Sequence, residues 1–132
     1  MQEALKVAVQ AVDDKKGIDV VALDISTVAS FADYFLLCTG ESSRQIHAIA
    51  DEIEQRLAAH GLRPTHVEGY TNAEWVLMDY VDLVIHIFSP QARAHYDLER
   101  LWRDGKPLDL TRLGERKAER SSPRRAPRKE SK

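Results

Sequence analysis

A mixed α/β fold is what this sequence predicts: a five-stranded sheet flanked by helices in the order α-β-β-α-β-β-β-α. Three observations carry that expectation. Residues 34–39, Tyr-Phe-Leu-Leu-Cys-Thr, form an apolar, β-prone run that meets Gly40, and apolar residues then recur at helical spacing (Ile46, Ile49, Ala50, Ile53, Leu57). Residues 74–78 and 82–88 are two strand-like runs so close together that they must form an antiparallel hairpin. The helix between earlier strands requires a crossover, so the sheet combines parallel and antiparallel pairs.

The elements follow in order. Leu5, Ala8, Val9 and Val12 give a first helix one apolar stripe. Lys15 and Lys16 suit its negative C-terminal end, and Gly17 suits a left-handed residue after it. A short strand spans 19–24 and a loop spans 25–32 before the strand at Tyr34. Ser42 is placed as an N-cap with Gln45 three residues on, the capping-box spacing, and His60-Gly61 ends that helix. A weaker strand lies at 65–68, and Gly69 to Asn72 turn the chain. In the strand at 82–88, Leu83, Ile85 and Ile87 point one way while Val84, His86 and Phe88 point the other. Both sets are largely apolar, which predicts an interior strand covered on both faces. Ser89 caps a last helix with Pro90 at its first position and Leu98, Leu101 and Trp102 on its apolar face; Pro107 follows its end.

Charge divides the chain into two parts. Residues 1–110 hold ten Lys/Arg against eighteen Asp/Glu, a net −8, and are read as the folded domain. Residues 111–132 hold nine Lys/Arg against three Asp/Glu, a net +6, and read as a basic, disordered tail able to touch nucleic acid. An acidic body favours a basic partner surface and repels bare nucleic acid. Cys38 is the single cysteine, so no intramolecular disulfide forms. The first residues lack a secretory pattern, and no uncharged apolar run approaches the roughly 18 residues of a membrane span. The expectation is a soluble cytoplasmic protein that does not engage a membrane.

Catalysis has no positive signal. The turn at Gly40 has one glycine and no lysine to reach a phosphate, so it reads as architecture, not as an anion site. Asp24, Asp33, Asp79 and Asp82 stand at strand ends, where two-metal phosphoryl-transfer enzymes keep their ligands, but no Asp-x-Asp is present. His47, His60, His66, His86 and His95 contain no i, i+4 pair, and His86 reads as a hydrogen-bonded core histidine. Gly40-Glu41-Ser42-Ser43-Arg44 misses the nucleophile-elbow pattern at its last position. The expectation is therefore no catalytic residue, no metal and no cofactor. Interaction has the better signal. Tyr70, Trp75 and Tyr80 are interleaved with Glu68, Glu74, Asp79 and Asp82, and aromatic anchors beside acidic groups fit a protein-binding patch.

Ala32-Asp33-Tyr34-Phe35-Leu36-Leu37-Cys38-Thr39-Gly40, Ser43-Arg44-Gln45 and Ala48-Ile49-Ala50-Asp51 closely resemble the ribosomal silencing factor family, RsfS or Iojap-like. So do Glu68-Gly69, Trp75, Asp79-Tyr80, Asp82, His86 and the run from Tyr96 to Trp102. The similarity covers about residues 3–104 in the family's order and spacing. It implies a fold related to nucleotidyltransferases without their catalytic carboxylates, and a non-enzymatic role. Such proteins bind the large ribosomal subunit through the ribosomal protein L-fourteen, block joining of the small subunit and so reduce translation. Family members can also self-associate as dimers. Trp75, Asp79, Tyr80 and Asp82, with Glu68 and Tyr70 next, are the contact residues expected on this reading, and the basic tail could add contacts to ribosomal RNA. The alternative is a nucleotidyltransferase-like protein binding nucleotide and magnesium through Asp33, Asp79 or Asp82. One departure stands at the hairpin, where the family reads Asp-Tyr-Gly-Asp and this chain has Val81 for the glycine. Valine tolerates positive φ poorly, so the turn is expected either to take another shape or never to have needed glycine.

Overall fold

The computed structural model describes residues 2–96 and 105–108. In chain order the elements are α1 (Gln2–Asp14), β1 (Ile18–Asp24), β2 (Tyr34–Thr39), α2 (Ser43–Ala59), β3 (His66–Glu68), β4 (Trp75–Asp79), β5 (Leu83–Phe88), α3 (Pro90–Tyr96) and β6 (Lys106–Pro107). The strands form one sheet in the order β3-β4-β5-β2-β1-β6. β2 and β5 run parallel; the other pairs are antiparallel.

The sheet has six strands where the sequence predicted five. The sixth is a two-residue edge in which Pro107 pairs with Leu23 and Lys106 with Asp24. Proline has no N–H to give a ladder, so it fits an edge strand, but two residues show no alternation from which to read one. The residues expected to supply the apolar face of the last helix (Leu98, Leu101, Trp102) lie outside the described residues, as does the segment 111–132. Of α3, Ala92 is the buried residue.

Every residue of β5 is buried, and its alternation divides the core in two. Leu83, Ile85 and Ile87 join the larger cluster with Leu5, Ala8, Val12, Ile46, Ile49, Ile53 and Leu57 under α1 and α2. Val84 and Phe88 join Leu23, Ile25, Phe35, Leu37 and Ala92 on the opposite face. Within the strands, Cys38 is fully buried, and burial pushes its thiol up to about 12.

Two capping details differ from the pattern expected. Ser42 Oγ accepts the Gln45 N–H at 3.1 Å, but Gln45 Oε1 takes the N–H of Glu41 (2.7 Å), one residue before the usual position. The same side chain donates through Nε2 to the carbonyls of Lys15 (3.0 Å) and Lys16 (2.8 Å). Gln45 thus ties the end of α1 to the start of α2. The left-handed residue after α1 is Lys16, at φ +67°, not Gly17. Gly17 serves close packing instead, since a Cβ there would stand 2.5 Å from Val12 Cγ1.

The hairpin between β4 and β5 keeps the glycine-type backbone with a valine in it. Val81 has φ +76° and is 55% exposed. The turn is held by the Tyr80 N–H on Leu83 O (2.8 Å) and the Val81 N–H on Asp79 Oδ1 (2.8 Å). A left-handed conformation strains an L-residue by roughly 1–2 kcal/mol, and a β-branched side chain more than most. Because the valine side chain buries little here, Val81→Gly is expected to stabilise the protein by about 1 kcal/mol, less the extra chain entropy glycine brings to the unfolded state. A urea midpoint that stays put or falls in the variant would show the strain to be absent.

Candidate protein-binding face

Strand alternation decides what β4 presents. Val76, Met78 and Tyr80 point into the larger core beneath the helices. Trp75 and Leu77 point to the other face and pack on the smaller cluster, and Trp75, Leu77 and Asp79 are all only half-buried. Across the ladder Glu68 stands opposite Leu77 and His66 opposite Asp79. Directly opposed residues share a face. Trp75, Leu77, Asp79, Glu68 and His66 therefore form one surface over β3 and β4, apolar in the middle and charged at its margin. His66 Nε2 lies 2.7 Å from Glu68 Oε2 within it.

The Trp75 indole is fixed from behind. Its Nε1–H donates to His86 Nδ1 at 3.0 Å, and its ring lies 5.3 Å from Phe88 and 4.6 Å from Tyr96. An indole can only donate, so His86 Nδ1 must be unprotonated and the neutral ring carries its proton on Nε2. Burial, with a smaller contribution from the Arg93 charge, pushes His86 down to about 4 and keeps it neutral. Nε2 is buried with no hydrogen-bond partner among the described residues. His86 is thus a core histidine whose ring hydrogen bond orients the half-buried tryptophan.

Tyr80 and Tyr70 fall elsewhere. Tyr80 is 4% exposed, its hydroxyl is buried, and burial followed by the nearby Glu54 charge pushes it up to about 12. It fills the core and is not presented to a partner. Tyr70 is exposed but folds onto α2: its hydroxyl donates to Asp51 Oδ1 (2.9 Å) and its ring stacks on His47 at 4.3 Å. The hydrogen bond to Asp51, then desolvation, holds the Tyr70 phenol above its ordinary value. The three aromatics grouped in the sequence are therefore separated, with Trp75 on the outer face, Tyr70 against α2 and Tyr80 in the core. Asp82 is exposed just past the hairpin tip, and its carbonyl accepts the N–H groups of Asp33 (2.8 Å) and Tyr34 (3.0 Å). Sequence reasoning missed Leu77, although it has the same parity as Trp75. It also missed the indole–imidazole bond, which follows only from the β4–β5 register.

The strand–turn–helix at Gly40 is closed by its own chain. Ser42 caps α2, and the Gln45 amide is already held by two α1 carbonyls. Carbonyl oxygens in that position oppose an anion at the helix start. Among the described residues no three His, Cys, Asp or Glu groups are placed to hold a metal ion. No described helix is long and apolar enough to cross a membrane.

The family model for RsfS, "Ribosomal silencing factor during starvation", matches residues 1–132. The chain belongs to the ribosomal silencing factor family. A ribosomal silencing factor RsfS of Halalkalibacterium halodurans is 45% identical over 109 residues, covering 83% of this chain and 93% of its own length. A crystal structure from Chromobacterium violaceum superposes with a TM-score of 0.76 at 38% identity, covering 78% of this chain and 86% of that one. A more distant relative is the mouse protein named "Mitochondrial assembly of ribosomal large subunit protein 1", 28% identical, with 64% of this chain matched to 38% of that protein.

Proposed function

We propose that this protein binds the large ribosomal subunit through the ribosomal protein L-fourteen and sterically prevents joining of the small subunit, reducing translation without catalysing a reaction. Membership of the silencing-factor family supports a ribosomal role, and the name of the mouse relative points to the large subunit. The observation that carries the proposal is the half-buried Trp75, held by His86 and flanked on one face by Leu77, Glu68 and Asp79. An oriented aromatic anchor with an acidic margin suits a basic protein surface. Asp82, at the nearby hairpin tip, extends the acidic margin; Tyr80 supports the strand from inside, and Tyr70 steadies the turn that leads into Trp75.

Trp75→Ala should weaken binding to isolated large subunits by roughly 2 kcal/mol or more, about thirty-fold. Glu68→Lys, at an exposed position, should weaken it by charge reversal while leaving the fold intact. If both variants fold and bind as tightly as the parent, the contact lies elsewhere.

A further inference from the structure

One end of the sheet gathers acidic groups from four strands. β1 ends there at Asp24, β2 begins after Asp33, β4 ends at Asp79 and β5 begins after Asp82. Backbone bonds lock these ends side by side: the Asp33 N–H on Asp82 O, and the Ile25 N–H on Asp33 O at 2.8 Å. Beside them Val28 is 41% and Phe31 59% exposed in the β1–β2 loop, with Val81 at the hairpin tip. Lys106, paired with Asp24 on β6, is a cation on this rim. Two hydrogen bonds from Ser26 hold the Asp24 carboxyl below its ordinary value.

A second copy would bring like charges together here, and nucleic acid would be repelled. A basic occupant is carried by the same chain. The described residues end at Leu108, whose N–H bonds Ala22 O (2.9 Å) on β1, the strand that ends in Asp24. Beyond it come 24 residues, and segment 111–132 within them is net +6 against the −8 of residues 1–110. From β1 to β4 the rim spans roughly 14 Å, three strand spacings. A chain of that length reaches at most roughly 80 Å, and tethering sets its effective concentration at roughly millimolar.

We infer that the basic segment 111–132 docks in cis on this acidic and apolar rim, Asp24, Asp33, Asp79 and Asp82 with Val28, Phe31 and Val81. Asp79 and Asp82 are shared with the proposed ribosomal contact, so the segment competes with a basic partner there, but docking itself does not depend on that reading.

The full chain carrying Ser122→Cys can be spin-labelled selectively, because the buried Cys38 thiol resists modification. Paramagnetic broadening should then be strong at the amides of Asp33, Val81 and Asp82 and weak at Glu41 and Glu74, at the opposite end of the sheet. It should be lost in an Asp33→Asn/Asp82→Asn background and at roughly 0.5 M salt, where screening is nearly complete beyond contact distance. Broadening that is absent, spread evenly over the surface, or unchanged when the two aspartates are neutralised would overturn the inference. Because no ribosome is present, failure here leaves the proposed function untouched, and failure of large-subunit binding leaves this result untouched.

Discussion

Gly69→Ala is expected to lower the unfolding free energy by about 3 kcal/mol or more. Gly69 joins β3 to the turn before Trp75 and has φ +79°. A Cβ built there would stand 2.1 Å from the Trp75 carbonyl oxygen. Two costs therefore combine: the left-handed backbone strains any L-residue, and the overlap is with main chain, which cannot swing aside like the end of a side chain. Relief would pull the turn from β4 and disturb the ladder that sets Glu68 opposite Leu77. The variant should melt well below the parent and show a shifted Trp75 emission. An urea midpoint within error of the parent would mean that the turn is free to rearrange.

Acidification should act through His86 with a comparable magnitude. Its pKa is pushed from 6.5 down to about 4 in the folded protein, so the unfolded chain binds the proton first as pH falls. Stability is therefore full above about pH 6.5 and declines as pH falls towards 4, by roughly 3 kcal/mol in total from this group. Carboxylates titrate in the lower part of the same window, so the parent is compared with His86→Phe, which lacks the titrating ring and leaves the Trp75 N–H unpaired at every pH. The parent curve should fall more steeply between pH 7 and pH 4, converging on the variant. Parallel curves would contradict a buried neutral His86.

These effects rest on features of unequal visibility in the sequence. The two faces of β5 were legible because strict alternation separates Leu83, Ile85 and Ile87 from Val84, His86 and Phe88, and both sets are buried. The Ser42 cap was legible because a hydroxyl three residues before Gln45 is a local signal. The second arm of Gln45, to Lys15 and Lys16, was not, because it joins residues about thirty apart. β6 carries too few residues for any periodicity, and its proline reads as a helix follower. For the candidate site, composition grouped Tyr70, Trp75 and Tyr80, but side-chain direction separates them. Residues 75 and 80 differ in parity along a strand and its turn, so one indole faces outward while one phenol fills the core. Tyr70 was beyond reach of any local rule, since its place depends on His47 and Asp51 of α2. Val81 shows the opposite limit. The resemblance marked the position, but only the backbone shows that Val81 itself takes the left-handed conformation.

The steric account is tested most directly by a joining assay. Isolated small and large ribosomal subunits are mixed with and without the purified protein under conditions that favour joining, then resolved by sedimentation. The account predicts that the protein travels with the large subunit alone and that joined ribosomes diminish as it is added, with Trp75→Ala far less effective. Undiminished joining while the protein occupies the large subunit, or equal association with small subunits, would contradict it.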